Sequence, residues 1–344
     1  MVETPLKRRG VLRLGAAASL ALAGFGLGGC AGPSPRLLGS RGDLPFAWSS
    51  RLPKPWQVLL LDEAADVRQA LSGGPGASDA PRAALVQLGD GWASDLPKDA
   101  LQAIGTPELL ARLDPLAKPV AQLFDPTQAT ALAFPWSINP WVLVFRNRPD
   151  LARRKAEGWD LLLDPSLRGR VVLPASPRVC IALVEGHAGR LARLRAQALA
   201  YDDRDGLSLL LDGRAEAAVL PRQRVIPLLR RDPRLAVLLP DQGGPVAWNL
   251  LLSPAGAPAA PLEWLGEALE PPLLARLLTA GWVPPLPAAQ LEGGLAGFPE
   301  GLRALLAPPP TVQARWHNLP PLSGPERSHL QALWDGAAPP HPKS

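Results

Sequence analysis

The chain carries little that could make or break a covalent bond. None of its four histidines, His187, His317, His329 and His341, stands in a recognisable catalytic context, and His341 lies in a proline-rich tail. There is no phosphate-cradling G-x-x-x-x-G-K-S/T, no G-x-G-x-x-G, no G-x-S-x-G elbow and no H-E-x-x-H helix. The carboxylates are scattered at spacings that single out no acid/base pair. Cys180, inside RVCIALV, reads as a packed core residue rather than a nucleophile, and no disulfide or cofactor is expected. What the residues offer instead is recognition. Ser176-Pro177-Arg178 opens a helix, where free backbone N–H groups favour an anion and a guanidinium adds two-point binding of a carboxylate or phosphate. Arg222 and Arg224 follow a predicted strand over residues 217–220 and could serve the same end. The alternative for these arginines is ion pairing on the surface or between lobes.

The elements around these residues alternate between strand and helix. Residues 56–62 (WQVLLLD) and 83–88 predict strands and residues 64–71 a helix, with a glycine- and proline-rich turn over residues 72–81. The second of these strands runs into Gly89-Asp90-Gly91-Trp92, the kind of strand exit at which open α/β sheets bind ligands. Residues 100–123 read as short helices broken by prolines. Residues 129–134 read as a strand that crosses out of the first lobe, with Pro135-Trp136-Ser137 as a turn at a cleft. Residues 141–146 and 169–173 predict strands, and Ser176-Pro177 is a strong helix start. Further on, residues 217–220 and 235–239 predict strands, and residues 241–253 (DQGGPVAWNLLLS) a return crossing followed by helices over 261–269 and 272–280.

The N-terminus predicts export. Lys7-Arg8-Arg9 precedes an alanine- and glycine-rich apolar run that ends at Leu27-Gly28-Gly29-Cys30. KRRGVLR resembles a twin-arginine signal and LGGC a lipobox, so Cys30 would be lipidated and become the first residue of a lipoprotein on the outer face of the cytoplasmic membrane, facing the periplasm. An uncleaved anchor helix is the alternative, weakened by Gly24, Gly26, Gly28 and Gly29. Removal of residues 1–29 lowers the formal net charge from +5 to +2, so the basic balance belongs largely to the signal and gives no reason to expect nucleic acid. Residues 30–45 read as a Gly/Pro/Ser/Arg tether and residues 337–344 as a disordered tail.

WDLLLDPSLRGRVVLPASPR (residues 159–178), ALVQLGDGW (84–92), the return crossing and Gly281-Trp282-Val283-Pro284 together resemble the extracellular solute-binding proteins of ABC importers, in particular the spermidine/putrescine branch. The resemblance implies a two-lobe periplasmic-binding-protein fold of the type II kind. Lobe 1 would be residues 46–140 plus 249–295 and lobe 2 residues 141–248 plus 296–336. It implies a monomer that takes a small-molecule solute in a cleft and delivers it to a membrane permease. It places Trp92, Trp136, Trp248 and Trp282 as cleft walls, where a flat ring stacks on a ligand or holds a cation. Packing of these rings in the lobe cores is the alternative.

Polyamine binders of that branch grip ammonium groups with carboxylates at the start of the second-lobe helix and just after the return-crossing tryptophan. Here those places hold Ser176, Val179 and either Asn249 or Leu250. Asp90 is the one acid near the expected cleft, so the resemblance combined with these departures points to an anionic or zwitterionic solute, bound by Asp90, Trp92, Trp136, Ser176, Arg178, Arg222, Trp248 and Trp282. An exported lipoprotein enzyme or scaffold on the same fold is the competing reading.

Overall fold

The computed structural model describes residues 34–71, 83–202 and 204–339, and all its helices and strands belong to the unit Pro35–Ser344. The expected export signal, Cys30, the turn at 72–81 and residues 340–344 of the tail lie outside the described residues. No described helix is long and apolar enough to cross a membrane.

The strands are β1 (Arg36–Ser40), β2 (Gln57–Leu61), β3 (Ala83–Gly89), β4 (Leu101–Gln102), β5 (Ala133–Arg146), β6 (Val171–Leu173), β7 (Ala198–Tyr201), β8 (Ala217–Pro221), β9 (Leu235–Leu238), β10 (Gly244–Pro254) and β11 (Trp316–His317). The main path runs β2-β1-β3-β10-β5-β8-β6-β7, with β11 and β4 on β10 and β9 on β5. The strands β1, β2 and β3 are mutually parallel, as are β6, β7 and β8, whereas β5 runs antiparallel to β8, β9 and β10, and β10 to β3, β4 and β5, and the two carry the chain between the groups; β11 pairs with β10 in parallel.

Two separate cores follow from this order. Leu37, Val86, Leu251, Trp264 and Leu277 pack in the first lobe. In the second, the strict alternation along β5 splits the apolar residues between the two faces of the sheet. Leu143 and Phe145 join Val171 and Val219 on one face, while Val142 and Val144 join Val172 and Leu220 on the other. A strand buried on both faces reads as the near-continuous apolar run found here, and helices cover both sides.

Three expectations are corrected. The tether does not extend to residue 45, because Arg36–Ser40 is a buried strand paired with both β2 and β3. Five residues flanked by Pro33, Pro35 and Gly42 look like linker, yet a strand with a partner on each edge draws its stability from the pairing rather than from its own composition. Pro135-Trp136-Ser137 is not a turn either, since all three lie inside the 14-residue β5. A register shift opposite Asn249 and Leu250 places Pro135 at an irregularity, where its missing N–H breaks no ladder bond. Lastly, the lobe assignments shift along the chain. Val246, Trp248, Phe298, Leu302 and Leu306 belong to the first core, so residues 296–306 do not join the second lobe. Leu319 and the closing helix Gly324–Gly336 pack there, the helix through Leu330, Leu333 and Trp334, with Ala337 buried behind it. The chain thus passes between the lobes a third time near β11.

Candidate ligand cleft

The carboxyl ends of both sets of parallel strands meet each other. On the first lobe, β1 exits to residues 41–43, β2 to Asp62 and Glu63, and β3 to Asp90. On the second, β6 exits to Pro174 and Ser176, β7 to Asp202 and β8 to Arg222. Glu63 Oε1 and Arg204 Nη1 pair at 2.7 Å between the two sides, and Arg224 donates to the Arg204 carbonyl at 2.6 Å. The glycine turn at Gly42 lies under Arg224 Nη1, 3.8 Å from where a Cβ would stand. The two sides therefore touch directly at this exposed edge.

Its floor is made by the crossing strands, and it is polar. Asn249 on β10 faces Ser137 on β5, and Asn139 lies one pleat along on the same face. Asn139 Nδ2 donates to Ser137 Oγ at 3.1 Å, and Gln87 Nε2, from β3, donates to Asn249 Oδ1 at 3.2 Å. All four side chains are buried, and Gln87 Oε1 and Asn139 Oδ1 have no hydrogen-bond partner. Two unpaired amide oxygens on one buried face are costly unless a donor reaches them, and the Gln87 oxygen lies 3.4 Å from where a Cβ of Gly39 would stand. Sequence reasoning named Ser137 only as part of a cleft turn and Asn249 only at the place of a family carboxylate, and it did not single out Gln87 or Asn139. The legible signal was three amide or hydroxyl groups placed on alternate positions of apolar crossing strands.

At one end of the floor stands Asp90. Its Oδ1 accepts from the Trp248 backbone N–H at 3.1 Å. Burial pushes the carboxyl up to about 6, against the opposing pull of the backbone N–H groups of Trp248, Gly91 and Asp90 and of the Arg178 charge. Asp90 keeps part of its surface open, so the desolvation acts on a carboxyl set into the cleft edge rather than sealed in a core. Arg178 is half-buried, its pKa lowered by desolvation and supported by Asp90 and Glu326. Its guanidinium donates to the carbonyls of Leu319, at 3.3 Å, and Pro320 on the third crossing. Beside it Asn318 Oδ1 accepts from the Trp248 indole at 2.8 Å, and its Nδ2 donates to the Leu116 carbonyl. Ser176 is exposed at the N-cap of the helix Pro177–Leu183, with its hydroxyl uncommitted to the cap.

The expected aromatic walls fare unequally. Trp92, on the turn of helix Asp90–Ala93, is exposed, with the Arg68 guanidinium 6.0 Å from its ring centroid. Trp136, Trp248 and Trp282 are buried. Trp136 sits 5.1 Å from both Trp48 and Trp282, and Trp48 stacks on Trp264 at 4.3 Å, with each of the latter two indoles donating to the other's carbonyl. These rings form a row through the first core, where large apolar area outweighs any gain from lining a cleft. Arg222 is also withdrawn: it is fully buried and donates to the carbonyls of Leu305, Leu306 and Ile138. Among the described residues no group of three or more His, Cys, Asp or Glu could hold a metal ion.

No protein-family model and no curated sequence matches the chain. Solved structures do. The spermidine/putrescine substrate-binding protein PotD from Streptococcus pneumoniae superposes with a TM-score of 0.69 at 9% identity, over 89% of this chain and 98% of that one. A putative spermidine/putrescine ABC transporter protein from Listeria monocytogenes gives 0.64 at 14% identity, over 89% and 99%. The binding protein MotA from Agrobacterium tumefaciens, in complex with glucopine, gives 0.61 at 13% identity, over 89% and 98%. At such identities the likeness speaks for architecture alone, and together with the two cores and their crossings it gives this chain an α/β two-lobe periplasmic-binding-protein fold.

Proposed function

We propose that the protein is the solute-capturing subunit of an ABC importer, a monomer held at the outer face of the cytoplasmic membrane through Cys30, which closes its lobes on a small zwitterionic solute and presents the closed form to a membrane permease. The observation that carries this reading is the floor: buried amides on the strands that join the lobes, with the Gln87 and Asn139 oxygens unpaired. Those oxygens accept from an ammonium or hydroxyl group. Arg178 and the exposed Ser176 offer donors to a carboxylate, and Asp90 adds one negative charge at the same end. A polyamine needs more than one acid, and the places expected to supply them hold Ser176, Val179 and either Asn249 or Leu250. The absence of catalytic motifs and the likeness to PotD and MotA favour capture over turnover.

A thermal-shift screen of the protein with amino acids, glucopine, putrescine and spermidine tests the reading. A capture protein gains stability as RT ln(1 + [L]/Kd) with one solute class and returns it unchanged. Compaction in solution scattering with the same solute supports closure. A profile insensitive to every solute would favour a scaffold, and consumption of the solute an enzyme.

A further inference from the structure

The crossing strand β5 has a second face, and a cavity of about 530 Å3 opens onto it. Ile138 lines this cavity, whereas its neighbours Ser137 and Asn139 point to the opposite side and form the cleft floor. The cavity is a funnel. Pro115, Pro119, Pro310 and Ala314 at its rim are exposed, while Leu291, Leu306 and Arg222 deeper in are buried.

Arg222 gives the funnel its chemistry. Nη1 donates to the carbonyls of Leu305 at 2.8 Å and Leu306 at 3.2 Å, and Nη2 to that of Ile138 at 3.0 Å, but Nε has no partner. Among the described residues no carboxylate pairs with this guanidinium, and burial alone lowers its pKa to about 9. It therefore remains charged at neutral pH, offset by carbonyl dipoles, two of them from the end of the helix Glu300–Leu306. An uncompensated buried charge is costly, and an incoming anion removes that cost. A second buried donor without a partner, Trp316 Nε1, belongs to a residue of the same lining. The remaining surface is mostly proline and leucine. Asp114, the one acid of the lining, already accepts from the Leu116 N–H at 2.9 Å and would repel a second negative charge.

We infer that this funnel is a second ligand site, separate from the cleft between the lobes, that takes a small monocarboxylate with an apolar aliphatic or aromatic body, its carboxylate held by Arg222. A single charge matches one guanidinium, planar two-point bonding suits a carboxylate, and the volume lies within the range of small-molecule pockets. The inference does not depend on which solute the cleft takes.

Calorimetric titration of the full chain carrying Cys30→Ser with sodium octanoate and sodium benzoate tests it, with octan-1-ol as the uncharged control. One saturable site for an acid is expected, weakened about tenfold or more by Arg222→Gln, as loss of a charge-assisted hydrogen bond requires. Ala314→Trp, at the exposed rim, should block the site without altering the melting temperature, and it keeps the test decisive if Arg222→Gln does not fold. Absence of binding by either acid, binding of octan-1-ol as tight as octanoate, or acid binding that persists with Ala314→Trp and is lost with Arg178→Ala would overturn the inference, the last by moving the acid into the cleft.

Discussion

The carboxylate of Asp90 is tied by a 3.1 Å hydrogen bond to the backbone N–H of Trp248, so the exit of β3 is fastened to the return crossing at the point where the lobes join. The bond fixes a carboxyl where the charged form is disfavoured by burial, and its pKa of about 6 makes the fastening sensitive to pH.

The folded protein holds the Asp90 proton more tightly than the unfolded chain, whose carboxyl keeps the ordinary value of 3.8. Between those two values the folded state binds more protons, so this group's contribution to stability falls as pH rises through about 6 and is flat above it. Asp90→Asn keeps an acceptor for Trp248 and removes the ionised form. It should stabilise the protein at pH 8 relative to pH 4 by on the order of 1–3 kcal/mol, from a shift of roughly two units. Urea unfolding of both proteins at the two pH values checks this; an Asn-minus-Asp difference that is the same at both would show that the carboxyl is not desolvated.

Trp136 is predicted to matter for folding and not for solute contact. Its ring fills the space between Trp48 and Trp282 and presents no surface. Trp136→Ala should cost about 3–5 kcal/mol, the range for truncating a core aromatic. Denaturant unfolding measures it, and a loss under about 1 kcal/mol would place the ring outside the tightly packed core.

The alternation of strand and helix was readable because apolar runs and proline-marked ends are local signals. Helices begin at Ala64, Pro177 and Leu262, within a residue or so of where the sequence predicts them, and β3, β6, β8 and β9 fall on their predicted runs. The misses are non-local. Arg36–Ser40 is a strand because β2 and β3 flank it, which no five-residue window reveals. The row formed by Trp264, Trp48, Trp136 and Trp282 joins residues more than 200 positions apart, so the sequence could mark large rings without saying which side of the sheet they cover. The floor was hidden for the same reason. Gln87, Ser137, Asn139 and Asn249 look unrelated until the register of β3, β10 and β5 sets them on one face.

Gly243, just before β10, stands where two crossings touch. Its φ is +73°, and a Cβ there would lie 2.5 Å from the Arg315 carbonyl oxygen and from the Arg315 Cβ. The backbone of the third crossing cannot yield as a flexible side chain does. Gly243→Ala should therefore destabilise by about 1–3 kcal/mol through the left-handed conformation and the clash together. Thermal unfolding checks the size, and a neutral or stabilising result would mean that the crossings are looser than this contact requires.

Asn249 offers the sharpest test of how the floor sets ligand charge. Its Oδ1 accepts from Gln87 Nε2, and the unpaired oxygens of Gln87 and Asn139 belong to the same face. Asn249→Asp preserves that accepted bond and adds a buried negative charge among acceptors, which alone should cost about 3–5 kcal/mol of stability. An ammonium group is the natural remedy, since it donates to all three oxygens and cancels the charge. The variant should therefore gain a putrescine-dependent rise in melting temperature that exceeds any in the parent, with the largest recovery at low ionic strength. Carboxylate-bearing solutes should lose affinity in the same variant, because the new charge opposes theirs across a poorly solvated floor. Parallel thermal titrations of both proteins with putrescine and with an amino acid measure the two shifts. If neither shift changes between parent and variant, the solute does not rest on this face of the crossing strands.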